Sequence, residues 1–153
     1  VELVLGPVSI LPSGRSISII NVTDAESMAS ECIARFPLAD IAILSAAVAD
    51  YTPSRVEKSK VKKSDKDLVI RLKPTVDIAA TLGKMKRSNQ LLTGFALETD
   101  NEIKNATGKL KRKNLDIIVL NSLNDEGAGF GYETGDIPLH FTGGGSTICP
   151  WLG

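Results

Sequence analysis

The chain has 153 residues, 42% of them hydrophobic, and its 18 Lys and Arg are matched by 18 Asp and Glu. That length and apolar content suit one α/β domain with a real core, and the neutral balance disfavours a general nucleic-acid binder. No apolar run approaches the roughly 18 residues of a membrane span and no signal peptide is visible, so the expectation is a soluble, cytoplasmic protein. Cys32 and Cys149 lack metal-ligand spacing and read as reduced thiols.

VELVL (1–5) reads as a buried strand closed by Gly6-Pro7, and SISIINV (16–22) as a second strand. Thr23-Asp-Ala-Glu26 has capping-box spacing, so a helix is expected next. Ala25, Met28, Ala29, Cys32, Ile33 and Phe36 then fall on one helical face. DIAILSAAVAD (40–50) is nearly all apolar, as a strand covered on both faces would be. Residues 51–66 read as a polar loop, and DLVIRLKP (67–74) as a short strand stopped by Pro74. A helix over Val76–Lys84 with Thr75 as its cap follows, then a strand over 89–99. Asn101–Lys113 reads as a helix on Ile103, Ala106, Thr107 and Leu110, LDIIVLNSL (115–123) as a buried strand, and IPLHF (137–141) as an edge strand. The end, TGGGSTICPWLG, resembles neither helix nor strand. Alternation of strands and helices predicts an α/β, three-layer, Rossmann-like and mainly parallel sheet. The absent initial methionine and the glycine-rich end read as marks of a fragment forming a single domain over residues 1–153.

Ligands of an open parallel sheet bind beyond the carboxyl ends of its strands. Three predicted strands end informatively there, in SAAVAD50, TGFALET99 and VLNSLNDEGAGFG131. Small Ser45, Ala46 and Ala47 would let a flat ligand approach the backbone, or would serve tight packing under a helix. Asp50 would contact a ribose hydroxyl or lie near a metal ion, or act as a plain loop acid. Phe95, after Gly94, would stack on a base or belong to the core.

Charge is unevenly placed. Six cations stand between Arg55 and Lys66 against two acids, and five between Lys104 and Lys113 against none. If the first stretch is extended, Lys58, Lys60 and Lys62 share a side, as a lysine-rich flap that clamps phosphates. The alternative is a solvated surface. Lys109 and Lys113 share a helix face at the edge of the apolar stripe, from which they would reach over the sheet end or snorkel at the core's rim. GAGFG (127–131) contains a GxG without a following helix, so a dinucleotide fingerprint is weak. His140 is solitary, with no triad partner nearby in sequence.

Taken together, Gly6-Pro7-Val8-Ser9, NVTDAESM (21–28), AAVADYTP (46–53), KVKK (60–63), VDIAATLG (76–83), GFALET (94–99), KLKRKNLDIIVLNSL (109–123) and GAGFGYET (127–134) resemble one family. It is bacterial phosphopantothenate–cysteine ligase, also called phosphopantothenoylcysteine synthetase, of coenzyme A biosynthesis, and the likeness covers about residues 4 to 135. The resemblance implies ligation of 4′-phosphopantothenate to cysteine with CTP as co-substrate. An acyl-cytidylate forms with loss of pyrophosphate, and cysteine's amine then displaces CMP. It implies Mg2+, and FMN only in a fused decarboxylase domain that has no counterpart in these residues. It also implies a homodimer.

Carried over by position, Lys60 matches the family's catalytic lysine. Leu44, Ser45, Ala46, Asp50, Val76, Asp77, Ile78, Ala79, Phe95, Lys109 and Lys113 match nucleotide contacts, and Ala46 also a substrate contact. The metal ligands are left unassigned. Thr75-Val76-Asp77-Ile78 departs from the family's usual Asn-Pro-Asp-Ile but keeps the acid and the helix start. The family's first strand, loop and helix and its closing helix have no match, so the expectation is a domain lacking them and a poor or inactive ligase by itself. Two other readings stay open. One is a nicotinamide-dependent Rossmann oxidoreductase, which Pro7 and Pro12 after the first strand disfavour. The other is a non-catalytic nucleotide-binding domain.

Overall fold

A computed structural model describes residues 1–57, 59–63, 67–98, 101–122, 136–143 and 145–150. The chain divides into two units, residues 1–31 with 47–77 and residues 32–46 with 78–153.

In the first unit, β1 (Glu2–Leu5) and β2 (Ser18–Asn21) pair in parallel, with Glu2 opposite Ser18 and Leu5 opposite Asn21. Backbone bonds from the Ser18 N–H to the Val1 carbonyl and from the Val22 N–H to the Leu5 carbonyl, each 2.9 Å, extend the ladder. The helix α1 (Ala25–Arg35) follows. Its cap is Asp24, one residue later than the capping-box spacing suggests. Asp24 Oδ1 accepts the Ser27 N–H at 2.7 Å, and Ser27 Oγ donates to the Asp24 carbonyl at 3.0 Å. The bond from the Ser27 amide lowers the Asp24 carboxyl below its ordinary value of 3.8.

The stretch expected as a loop begins with a strand, β4 (Tyr51–Pro53), antiparallel to β5 (Leu72–Pro74), so that residues 54–71 form an arm between them. The predicted strand over 67–74 contracts to its last three residues, because the apolar side chains Leu68, Val69 and Ile70 stay exposed with no neighbouring strand to pair.

The second unit holds a five-stranded sheet in the order β3 (Ile41–Leu44), β6 (Leu91–Glu98), β7 (Ile117–Ser122), β8 (Asp136–Phe141), β9 (Ser146–Pro150). The first three strands are parallel and the last two antiparallel, so a parallel core carries an antiparallel extension. The predicted strand over 40–50 ends at Leu44, where small residues with little β propensity take over. It is also not covered on both faces, since Ile41 and Ile43 are 59% and 64% exposed. The expected edge strand over 137–141 lies inside the sheet, because the segment expected to be structureless forms β9. Its glycines make the turn: Gly143 has φ 107°, and the Phe141 N–H donates to the Gly145 carbonyl at 3.0 Å.

The helices α2 (Ile78–Met85) and α3 (Glu102–Arg112) pack on this sheet, α2 on β6 and α3 on β6 and β7. The registered face of Leu92, Ala96, Ile118 and Leu120 is buried, together with Leu82, Ala106, Leu110 and Leu115. Burying a side chain such as Leu92 fully stabilises by about 1.5–3 kcal/mol. Ile103, counted in the α3 stripe from sequence, is exposed.

Polar groups close this unit. Buried Gln90 donates to the carbonyls of Phe36 and Ala39 at 2.8 and 2.6 Å, and its Oε1 accepts the Arg87 N–H at 2.9 Å. Asp116 Oδ1 accepts from Lys86 Nζ at 2.7 Å, and Oδ2 from the Leu92 N–H at 2.8 Å. The Lys86 side chain is only 10% exposed, whereas the Arg55–Glu57 pair at 3.2 Å stands in solvent.

Two measurements follow from these contacts. Replacing Asp116→Ala strands a largely buried ammonium and an amide, so urea unfolding is expected to show a loss of about 3 kcal/mol or more, against about 0.5 kcal/mol or less for Arg55→Ala. Asp24 has a depressed folded pKa, so its contribution is present above the unfolded value and lost as pH falls through the lower folded one. Melting curves of wild type and Asp24→Ala are therefore expected to differ at neutral pH and to converge as the pH drops below about 3.8.

Candidate nucleotide site

In the first unit, β4 and β5 meet at a junction where Asp50 and Thr75 flank the ladder. The Thr75 N–H donates to the Asp50 carbonyl at 2.9 Å, and Thr75 Oγ1 donates to the Ala49 carbonyl at 2.6 Å. Thr75 is therefore not the helix cap expected from sequence, and α2 starts three residues later, at Ile78. Two stretches 25 residues apart, ending in Asp50 and starting with Thr75-Val76-Asp77, are held side by side. Asp50, Val76 and Asp77 are all exposed.

Lys60 rides on the arm that leaves and rejoins the opposite end of this ladder, beyond Pro53 and Leu72. Lys60, Lys62 and Lys63 are exposed, with no strand pairing along residues 55–57, 59–63 and 67–71. At the far end of the ladder Ser54 mirrors Thr75: its N–H and its hydroxyl donate to the Arg71 carbonyl at 2.9 and 3.0 Å. The arm thus has a fixed base and a solvent-exposed span. Lys58 lies outside the described residues, as does all of GAGFGYET (127–134).

In the second unit, Leu44 is the last residue of β3 and pairs with Gly94, so Ser45 and Ala46 leave the sheet beside Phe95 while β6 runs on to Glu98. Gly94 is required there: a Cβ at that position would stand 2.8 Å from Cδ1 of buried Leu115. Phe95 is 47% exposed and shares its sheet face with Ile41, Ile43, Leu91 and Leu97, all exposed. It is not the core phenylalanine of the bland reading.

Ile78 and Ala79 form the first turn of α2, whose last turn leads through Lys86–Gln90 into the amino end of β6. The start of the helix is therefore directed away from that end of the strands, with its amides in the arrangement that favours anions. Ile78 itself is buried, leaving its backbone as the group able to contact a ligand.

The helical lysines stand differently from expectation. The helix α3 follows β6 and returns to the start of β7: the Leu115 N–H donates to the Leu110 carbonyl and the Asp116 N–H to the Leu92 carbonyl, both at 2.9 Å. Lys113, at the helix C-cap, therefore has its backbone near the amino ends of β6 and β7, and Lys109 lies one turn before it. The reason is the crossover itself, which must bring the chain back to the strand starts. A close backbone contact fixes this end, since a Cβ on Gly83 would fall on the Lys113 carbonyl oxygen and Asn114 Nδ2 donates to the Gly83 carbonyl at 2.8 Å. Phe95 projects from the sheet face opposite the buried one, so this unit does not gather Phe95 with Lys109 and Lys113.

Sequence reasoning missed Thr75 and Ser54 as the fasteners of the arm. A hydroxyl residue beside each proline of the hairpin, Pro53-Ser54 and Pro74-Thr75, was the available signal. Among the described residues no group of three or more His, Cys, Asp or Glu is arranged to hold a metal ion, and no helix is long and apolar enough to cross a membrane. His140, in β8 between Ile118 and Ser146, has a buried Nε2 with no hydrogen-bond partner among the described residues.

Comparison with known proteins bears on the family and the fold. A bacterial protein described as coenzyme A biosynthesis bifunctional protein CoaBC, from Bacillus subtilis, is 41% identical over 150 residues, covering 98% of this chain and 37% of that protein. A cysteine/cysteine sulfinic acid decarboxylase of an unknown prokaryotic organism is 58% identical over 139 residues, covering 91% of this chain and 39% of that protein. The chain thus spans less than two-fifths of the length of these relatives. The solved structure of the C-terminal domain of CoaBC superposes with a TM-score of 0.78 at 35% identity, over 99% of this chain and 65% of that one, which establishes the Rossmann-like α/β fold. The profile of the DNA/pantothenate metabolism flavoprotein C-terminal domain matches residues 1–150, and the chain belongs to that family.

Proposed function

We propose that this domain serves coenzyme A biosynthesis as the nucleotide-dependent ligase that joins 4′-phosphopantothenate to cysteine, with CTP as co-substrate. The observation that carries the reading is the base of the lysine arm. One pair of antiparallel strands holds Asp50 beside Thr75 at one end and carries at its other end the arm that bears Lys60. A carboxylate and a triphosphate repel each other, and negative charge gathers about the reacting phosphorus. A cation on a span tied down at both ends approaches that charge without having to be ordered from a free tail.

In this reading the substrate carboxylate attacks the α-phosphorus of CTP, and the bond to the β-phosphate oxygen breaks to release pyrophosphate. The amine of cysteine then attacks the acyl carbon, loses a proton, and CMP departs. Lys60 neutralises the phosphates as the catalytic lysine. Asp50, Val76 and Asp77, together with the first turn of α2 at Ile78 and Ala79, contact the nucleotide. Leu44, Ser45 and Ala46 supply the small-residue border at the end of β3, with Ala46 also meeting the acyl substrate. Phe95, Lys109 and Lys113 enter on the sequence match, not on their placement. Mg2+ belongs to the proposal as the triphosphate's partner, held largely by phosphate oxygens as such sites usually are.

The CoaBC name joins two activities in one protein, and the decarboxylase name of the other relative is read as belonging to the three-fifths or so of it that this chain does not match. We place FMN with that remainder. The family's first strand, loop and helix are read as a further part of the unmatched length, and the exposed apolar face of Ile41, Ile43, Leu91 and Leu97 on the parallel strands is where a covering helix would pack. A homodimer in the cytoplasm completes the proposal, supported by the exposed apolar run Leu68, Val69, Ile70 and Leu72 beside β5.

Calorimetric titration of the 153-residue chain is expected to show binding of CTP and none of NADH. In a version carrying the rest of the matched domain, Lys60→Gln is expected to lower turnover about 10²-fold with the melting temperature unchanged, because the side chain is exposed. Equal turnover of the two proteins would remove Lys60 from the mechanism. Tight NADH binding would return the oxidoreductase reading.

A further inference from the structure

We infer that Thr75 is a positioning residue of this site, setting the place of Asp50 at the base of the hairpin through two hydrogen bonds, one to the Asp50 carbonyl and one to the Ala49 carbonyl. The inference rests on the proposed nucleotide-binding reading and extends it to a residue outside the set of contacts.

Little else holds the junction. The β4–β5 ladder has three residue pairs, Tyr51 with Pro74, Thr52 with Lys73 and Pro53 with Leu72. Two of the six positions are prolines and donate nothing to the ladder. An isolated two-stranded hairpin is marginal even with all its donors. The residues of both strands are largely exposed: of the six, only Thr52 is even half-buried. Apolar burial therefore contributes little, and the bonds just outside the ladder matter more than usual.

Thr75 makes two of them. Its amide donates to the Asp50 carbonyl at 2.9 Å and continues the ladder by one step past Tyr51 and Pro74. Its hydroxyl donates to the Ala49 carbonyl at 2.6 Å and reaches one residue further. Two successive carbonyls at the end of the Ala47-Val48-Ala49-Asp50 stretch are thus gripped by one residue, which restrains the peptide planes on both sides of Asp50 and hence the direction of its Cα–Cβ bond. The same residue is joined directly to Val76 and Asp77. Loss of the hydroxyl leaves the amide bond in place but frees the Ala49 carbonyl, so the turn rotates more freely about its last fixed point. Ser54 fastens the other end, at the Arg71 carbonyl, and governs where the arm begins but not the Asp50 turn.

The test uses the 153-residue chain, with CTP titrated calorimetrically and melting recorded for each protein. Thr75→Val keeps shape and β-branching but lacks the donor. Thr75→Ser keeps the donor. Thr75→Val is expected to bind CTP roughly fivefold more weakly, within the range for one lost hydrogen bond. Thr75→Ser is expected to stay within roughly twofold of the parent, and both variants are expected to melt as cooperatively as the parent. Parent-like affinity in Thr75→Val, or an equal loss in Thr75→Ser, overturns the inference while the nucleotide reading stands. A parent chain that binds no CTP overturns that reading and the inference with it. Should Thr75→Val fail to melt cooperatively, the Thr75→Ser comparison decides: retained affinity supports the hydroxyl's role, and loss sinks it.

Discussion

The second unit hangs on the carboxylate of Asp116. Its two oxygens accept from Lys86 at the end of α2 and from the amide of Leu92 at the start of β6, while its own amide and carbonyl bond to Leu92 and Thr142. One residue thus ties a helix end, two parallel strand starts and the turn after β8. Within this unit, the candidate groups sit on elements held by those fixed starts. The carboxyl half of β6 is aligned because its amino end is anchored, and the first turn of α2 is directed because its last turn is tied down. A largely buried ion pair adds little net stability by itself, but removing one partner is costly, which makes it a strict device for register.

The first unit relies on a different economy. Its β4–β5 hairpin buries little and is bounded by prolines, so hydroxyl residues just beyond the ladder do the fastening. Under the proposed function, this suits an arm whose lysines meet a highly charged ligand. Rigid burial of Lys60 would desolvate its ammonium, and a free tail would lose more entropy on ordering. An exposed span with a fixed base avoids both costs. The total charge is neutral, with cations concentrated in residues 55–66 and 104–113 and balanced elsewhere.

Long periodic elements were legible in the sequence. The strands at Glu2–Leu5, Leu91–Glu98 and Ile117–Ser122 and the helix at Glu102–Arg112 are announced by apolar runs or stripes with clear stops. What escaped was decided by tertiary partners. Ser146–Pro150 is a strand because β8 offers it an edge, and its glycine-rich approach looked like an unstructured end. Residues 45–50 are apolar enough for a strand, yet β3 stops at Leu44 since alanines add little to a pleated surface. Thr75 has a side chain that can cap a helix or bond backwards, and only the neighbouring Ala49 carbonyl decides between them. At the candidate site, residue types, spacing and family likeness nominate the lysine arm and Asp50, but do not disclose the bonds that hold the hairpin together.

The placement of the helical lysines separates two senses of proximity. From Leu92 to Glu98, β6 rises roughly 20 Å at about 3.3 Å per residue. The Lys113 backbone stands near the lower end of that rise, close to Asp116. A nucleotide poised only above the strand tips lies out of its reach, whereas one lying along the flank of α3 does not. Phe95, midway along β6, faces the opposite side of the sheet, with Ile43 and Leu97 exposed around it. An aromatic ring in such company is more in need of an apolar cover than of a base to stack on. The residue's backbone is then the part that borders Ser45 and Ala46, and the chemistry at the end of β3 rests on main-chain groups and small side chains. Gly94 is bare for a separate reason, since a Cβ there would stand 2.8 Å from Cδ1 of Leu115 on the buried face.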